Sequence, residues 1–228
     1  MKMTRNALIV LAIIFALTAA GCGGGGDGDG HAPSTSYLPM RVGNTWTYLM
    51  TFAPDIIPLQ AGENQLFDYH ETIIGTAALD GTEYFLFRSV REATDEYPER
   101  NWQQIRRETG DAILARLPIY DETGQVIVDS YDLPVLTLPP RQGATWANPE
   151  FPEITFTIAA VGEQVSVPAG TFSCVRVEES WEEPVEDGSP ILRTNRSWFS
   201  RGVGLVKDET WEDDAKTTMI ELTEYTLN

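Results

Sequence analysis

The feature that most constrains this chain is a period-two pattern cut at short intervals by turn residues. Glu153-Ile154-Thr155-Phe156-Thr157-Ile158 alternates strictly, putting Ile154, Phe156 and Ile158 on one face. Successive side chains of a strand point to opposite faces, so this period predicts a half-buried strand. Thr82 to Arg88, Asn44 to Leu49, Thr171 to Val177 and Thr217 to Tyr225 carry the same β-favouring character. Asp80-Gly81, Thr109-Gly110-Asp111, Glu122-Thr123-Gly124, Pro168-Ala169-Gly170 and Asp187-Gly188 punctuate the runs. Asp-Gly between two β-like runs is a strong hairpin cue, because a tight turn needs positive φ and glycine tolerates it. Connections this short cannot house a crossover helix, so neighbouring strands must be antiparallel. The pattern predicts an all-β fold: an antiparallel meander forming a curved sheet, an open barrel or a sandwich, with few or no helices.

One motif occurs twice. Leu38-Pro39-Met40-Arg41-Val42-Gly43-Asn44-Thr45-Trp46 returns one hundred residues later as Leu138-Pro139-Pro140-Arg141-Gln142-Gly143-Ala144-Thr145-Trp146, with six of nine positions identical. Proline stops a preceding strand, glycine permits a bent backbone, and tryptophan brings a large apolar group into the next strand. The pair reads as two strand entrances with one structural solution. The alternative is a pair of equivalent ligand-facing tryptophans. The similarity fades soon after each tryptophan, which argues against a full duplication.

Charge narrows the partners. The chain carries a formal charge of -18. Removing residues 1–21, which hold Lys2, Arg5 and no acid, makes it two units more negative. Such a surface repels phosphate backbones and anionic headgroups, so nucleic acid is excluded as a partner, and so is docking to lipid through basic patches. Six Trp, eight Tyr and nine Phe exclude a disordered stalk. Residues 37–228 suffice for one core, and the reading is a single β-domain over that span.

The N-terminus is an address. Lys2 and Arg5 precede an apolar run from Ala7 to Ala20, too short to span a bilayer, and the small residues Ala19-Ala20-Gly21 follow. This is the pattern of a cleaved export signal over residues 1–21. Residues 22–36 are rich in glycine and aspartate and read as a flexible tether, reaching about 20 Å on average. Asp27-Gly28-Asp29-Gly30 lacks the further ligands and distal glutamate of a calcium loop.

Catalytic chemistry finds little support. His31 lies in the tether, and His70 is the only histidine of the body, at a position that reads as the polar face of a strand. No Gly-x-Ser-x-Gly elbow, His-Glu-x-x-His pair or phosphate-cradling glycine loop is present. One body histidine with Cys174 makes no metal set, and no cofactor is predicted. Glu178-Glu179, Glu182-Glu183 and Asp213-Asp214 put neighbouring carboxylates on opposite faces of a strand, so none is a ready acid/base pair. Cys174 sits in a strand-like run and reads as a buried structural thiol. The better candidates for ligand contact are Trp46, Trp146 and Trp198, if tryptophans line a concave apolar side. A packed core is the plainer reading of all six.

Two resemblances add to this. Ala19-Ala20-Gly21-Cys22 resembles the lipobox of bacterial lipoproteins, with Ala19 where leucine is commoner. It implies that Cys22 is lipidated and becomes the new N-terminus, leaving Cys174 without a disulfide partner. By the same resemblance, Gly23 after the cysteine implies sorting to the outer membrane. Tyr37 to Tyr48, Val165-Ser166-Val167-Pro168-Ala169-Gly170-Thr171-Phe172 and Trp198 to Lys207 resemble motifs of a recurrent type of bacterial lipoprotein, mostly uncharacterised. The fold is also similar by analogy to the half-barrels of the LolA and LolB lipoprotein carriers, which hold acyl chains in an apolar concavity, although the helices that close such a cavity are not identifiable here.

The expected protein is therefore a non-enzymatic structural or binding β-domain, held to the bacterial envelope by an N-terminal lipid and meeting a hydrophobic ligand or an envelope protein. A carrier for a hydrophobic ligand, such as lipid or lipoprotein acyl chains, is the alternative. A carbohydrate-acting enzyme is the weaker one.

Overall fold

The computed structural model describes residues 35–53, 65–94, 97–120, 126–184 and 189–228. Cys22, the signal, nearly all of the tether and the turns at residues 122–124 and 187–188 lie outside them. The described chain forms β1 Thr45–Phe52, β2 Gln65–Leu79, β3 Thr82–Arg91, β4 Arg100–Glu108, β5 Ala112–Tyr120, β6 Val126–Thr137, β7 Thr145–Ala147, β8 Thr155–Val167, β9 Gly170–Glu183, β10 Ile191–Ser200, β11 Gly204–Glu212 and β12 Ala215–Thr226. No helix occurs among these residues.

All twelve strands make one antiparallel sheet in the order β6-β5-β4-β3-β2-β1-β12-β11-β10-β9-β8-β7. Two six-strand meanders thus meet where β1 pairs with β12, Trp46 opposite Tyr225 and Met50 opposite Ile220. In a flat sheet, strand spacing would leave the edges β6 and β7 on the order of 50 Å apart. The sheet instead twists and curls until the edges touch. Trp146 Nε1 donates to the Pro134 carbonyl (2.7 Å) and Asn148 Nδ2 to the Tyr131 hydroxyl (3.1 Å), without a backbone ladder between β6 and β7. Of the expected alternatives, the curved open sheet is the one adopted. Its edges are protected from further pairing: β7 has three residues, and Pro134 removes an N–H from β6.

Local chemistry sets the turns. Asp80 (φ 52°) and Gly81 (φ 77°) form a two-residue hairpin between paired Leu79 and Thr82. Both central residues have positive φ, as the turn that matches strand twist requires. Pro168-Ala169 joins β8 to β9 where Val167 pairs with Gly170. Asp213-Asp214 is the two-residue turn between β11 and β12, with Asp213 at φ 50°, so this acidic couple is a turn and not a site.

The repeated motif opens each meander. Gly43 N donates to the Ile73 carbonyl, Asn44 N to that of Arg41, and Ile73 N to that of Asn44. Gly143, Ala144 and Ile158 repeat this set, donating to Ile158, Arg141 and Ala144. Both glycines have positive φ, 90° and 82°. Each bonded isoleucine is fully buried and stands next to a register shift, Ile73/Gly75 and Ile158/Ala160. The motif is a strand entrance used twice. One difference matters: Asn44 Nδ2 holds the Pro39 carbonyl and its Oδ1 accepts from Asn228 N, clamping the lead-in to the C-terminus. Ala144 cannot do this.

The concave side carries the core, with Trp46, Tyr48, Tyr69, Ile73, Phe87, Leu133, Ile158 and Leu222 essentially without exposure. Tyr37 and Leu38 of the lead-in are buried against it. The lead-in is stitched down where Gly202 N donates to the Ser36 carbonyl (2.7 Å) and Ser36 Oγ bonds Glu108.

Candidate functional site

The inner face is not uniformly apolar, and the exceptions converge. On β2, Glu71 takes the position between Tyr69 and Ile73 that alternation assigns to the core. On β4, Gln104 and Arg106 follow Trp102 on the same face. On β9, Glu179 sits between Val177 and Trp181. Asn195 and Ser197 precede Phe199 on β10, and Asp208 lies opposite Ser197 on β11. Glu71 is 0% exposed, Arg106 4%, Glu179 4% and Asp208 5%. Charged side chains at such depth must be paired, hydrogen-bonded or neutralised.

The pairing is partial. Arg106 Nη1 donates to Glu71 Oε2 (3.2 Å) and Nη2 to Gln104 Oε1 (2.7 Å). Its guanidinium lies 4.5 Å from the centroid of Phe87, which in turn stacks on Trp46. Asp208 Oδ2 accepts from Ser197 Oγ at 2.6 Å. In either amide orientation the Asn195 nitrogen also donates to this carboxylate, at 3.3 Å or 3.0 Å. Glu179 Oε1, Glu71 Oε1 and Arg106 Nε have no hydrogen-bond partner among the described residues.

Burial dominates the electrostatics. It pushes the Glu71 carboxyl up to about 7 against the opposing pull of Arg106. It raises Glu179 to about 8, helped by the Asp208 charge. Asp208 rises to about 7 for the same reason, although Ser197 and Asn195 hold it down. The hydroxyls of Tyr48 and Tyr69 are pushed well above their ordinary value by burial and then by Glu71.

Between these groups lies a cavity of about 40 Å³. Its polar wall is Arg106, Glu179, Asn195, Ser197 and Asp208; Leu38, Val135, Phe199 and Leu205 form the apolar remainder. The first meander thus faces the second across the space, and the end of the lead-in lines it as well. At roughly 10–15 Å³ per water, it takes about three water-sized groups. A long acyl chain does not fit. No group of three or more metal-binding side chains occurs among the described residues.

The predicted site residues are dispersed. Trp46 is buried on the inner face and donates its indole N–H to the Val203 carbonyl at 2.6 Å. Trp146 lies at the β7 edge, stacked on Phe156 with ring centroids 5.4 Å apart. Trp198 is buried with the core cluster, beneath the cations of Arg176 (6.0 Å) and Lys207 (5.6 Å). None of the three lines the cavity. His70 is on the outer face and pairs with Glu92. Cys174 is a buried free thiol whose pKa burial lifts to about 12. Of the acidic couples, Glu178 points outward to Arg176 and Arg196 while Glu179 points inward.

The polar cavity residues Arg106, Asn195, Ser197 and Asp208 lie in none of the motifs, and Glu179 entered only as half of an acidic couple. Their signal is parity. In Val175-Arg176-Val177-Glu178-Glu179-Ser180-Trp181, Glu179 shares the register of Val175, Val177 and Trp181. In Phe67-Asp68-Tyr69-His70-Glu71-Thr72-Ile73, Glu71 shares that of Phe67, Tyr69 and Ile73.

The DUF3108-like family model matches residues 158–222, from within β8 to within β12. That stretch contains Glu179, Asn195, Ser197 and Asp208. No curated protein matches the chain. Two solved structures share the fold at low identity. One is a candidate exported protein with a YmcC-like fold from Bacteroides fragilis, 10% identical, with a TM-score of 0.54 over 83% of this chain and 98% of that one. The other is a candidate lipoprotein from Parabacteroides distasonis, 15% identical, with a TM-score of 0.54 over 85% of this chain and 99% of that one.

Proposed function

We propose that this chain is a lipid-anchored protein of the bacterial cell envelope, sorted to the outer membrane, whose β-domain is a non-enzymatic binding or structural module. The observation that carries the reading is the seating of the lead-in. Ser36 is bonded to Gly202 and Glu108, and Tyr37 and Leu38 beside it are buried in the core, so a tether fixed at Cys22 would hold the domain at its foot. The export-type N-terminus and the names of the two solved neighbours support the address.

The non-enzymatic part rests on the interior. The cavity's size leaves no room for a sugar ring beside Glu179 and Asp208, and the body's histidine points away from it. The same size favours this reading over that of an acyl-chain carrier. Cells fed a clickable palmitate analogue test the anchor: the wild type is expected to take the label and sediment with membranes, and Cys22→Ala to lose both. An unlabelled, soluble wild type would overturn the proposal.

A further inference from the structure

Acceptors outnumber cations in the cavity. Arg106 is the guanidinium in its wall, and its two terminal nitrogens are engaged by Glu71 and Gln104. Asp208 is held by the neutral donors Ser197 and Asn195. Glu179, 4% exposed and paired in register with Asn195, lines the cavity, and its Oε1 has no hydrogen-bond partner among the described residues. Two carboxylates therefore share one small space without a counter-ion of their own among the described residues. A buried carboxylate in that condition is strongly unfavourable until a donor or a cation reaches it or it takes up a proton.

The occupant must meet three conditions. It must be cationic, to balance Glu179 and Asp208 where they are ionised. It must carry hydrogen-bond donors, because both groups are acceptors when ionised. It must fit a volume of about three water-sized groups. The apolar walls Leu38, Val135, Phe199 and Leu205 allow one or two carbons beside the charged end.

We infer that this cavity binds a primary ammonium group, either free ammonium or the end of a short alkylamine, with Glu179 as its counter-ion and Asp208 as a second acceptor. The inference names a ligand class for the binding reading above and rests on it. It is independent of the anchor, since palmitate labelling reads Cys22 alone.

The test uses the full-length protein in detergent at about pH 8.5, where Glu179 and Asp208 are largely ionised and the amines remain protonated. Thermal midpoints are followed at constant ionic strength in ammonium, methylammonium and ethylammonium chlorides. Tetramethylammonium, which has the charge but no N–H, and sodium serve as comparators. The primary cations are expected to raise the midpoint saturably, as ligands of the native state do, and the comparators to leave it unchanged. Ethylammonium acting at lower concentration than ammonium would identify the end of an alkyl chain as the source, and the reverse order free ammonium. Glu179→Gln is expected to abolish the response and Asp208→Asn to weaken it.

Equal shifts from sodium or tetramethylammonium, no cation-specific shift, or an undiminished response in Glu179→Gln would overturn the inference. A second measurement covers a variant that fails to fold. With ¹⁵N-ammonium, the wild type is expected to show a slowly exchanging bound proton resonance. Its absence at saturating ammonium would mean that water and protons alone fill the space.

Discussion

Trp46 and Trp146 hold the same place in the repeated motif, and each donates its indole N–H to a backbone carbonyl, yet the two bonds join different parts of the fold. Trp46 reaches Val203 in the turn between β10 and β11 at 2.6 Å, whereas Trp146 reaches Pro134 on β6 at 2.7 Å and bridges the open seam. One is fully buried and the other half-buried. Trp46→Ala is expected to cost roughly 3–5 kcal/mol, the range for deleting a large buried aromatic. Trp46→Phe should cost about 1–3 kcal/mol, leaving the Val203 carbonyl unsatisfied. Trp146→Ala should cost less than Trp46→Ala and selectively loosen the seam. Urea denaturation ranks the three variants, and hydrogen exchange at β6 and β7 reads the seam.

Gly204 and Gly81 separate two kinds of glycine requirement. Both have positive φ, 111° and 77°. A Cβ at Gly81 would meet open space, while one at Gly204 would lie 3.2 Å from Trp46 Nε1 and 3.4 Å from Leu38 Cδ1. Gly81→Ala should therefore cost only backbone strain, about 1–2 kcal/mol. Gly204→Ala should cost that strain plus about 1–3 kcal/mol of overpacking against the residue that seats the tether. Equal losses in thermal melts would refute the distinction.

The buried carboxyls set an unusual pH dependence. Glu71 and Asp208 at about 7 and Glu179 at about 8 all lie above their unfolded values of about 4. In that window the native state binds more protons than the unfolded chain, so stability falls as pH rises. Their contribution is complete below about pH 4 and lost as pH passes through 7 to 8. Unfolding free energy should therefore decline between about pH 5 and 8, and Glu179→Gln should flatten the decline by on the order of 1–3 kcal/mol. A stability that rises across this range would contradict the assignment.

Breaking the Glu71–Arg106 pair from one side should be severe. Arg106→Met leaves Glu71 buried without its counter-ion and is expected to cost roughly 3–5 kcal/mol, whereas replacing both partners with apolar residues should recover most of the loss. A double-mutant cycle by chemical denaturation measures the difference.

Cys174, 1% exposed and with its pKa raised to about 12, should resist a thiol reagent in the native protein. Denatured wild type should then titrate as one thiol per chain, because the proposed lipid blocks Cys22. Two reactive thiols would count against lipidation.

The strands were most legible where alternation was chemically clean. Ile154, Phe156 and Ile158 announced β8, and Asp80-Gly81 announced the hairpin that joins β2 to β3. The strands that build the cavity were harder to read for a physical reason: Glu71, Arg106 and Glu179 occupy apolar positions and blur the period that identifies a strand. Trp198 is buried with the core cluster, beneath Arg176 and Lys207, and does not line the cavity.

Local sequence by itself determined the strand period, the tight turns and the double use of the Leu-Pro-x-Arg-x-Gly-x-Thr-Trp entrance, because each depends on backbone preferences within a few residues. It also carries the export pattern around Cys22. Tertiary structure alone decided which side of each strand faces inward, how far the sheet curls, and that Arg106 from the first meander lines one cavity with Glu179 and Asp208 from the second. Those outcomes depend on twist accumulated over twelve strands and on the free energy of burying one face, which no local stretch of sequence contains.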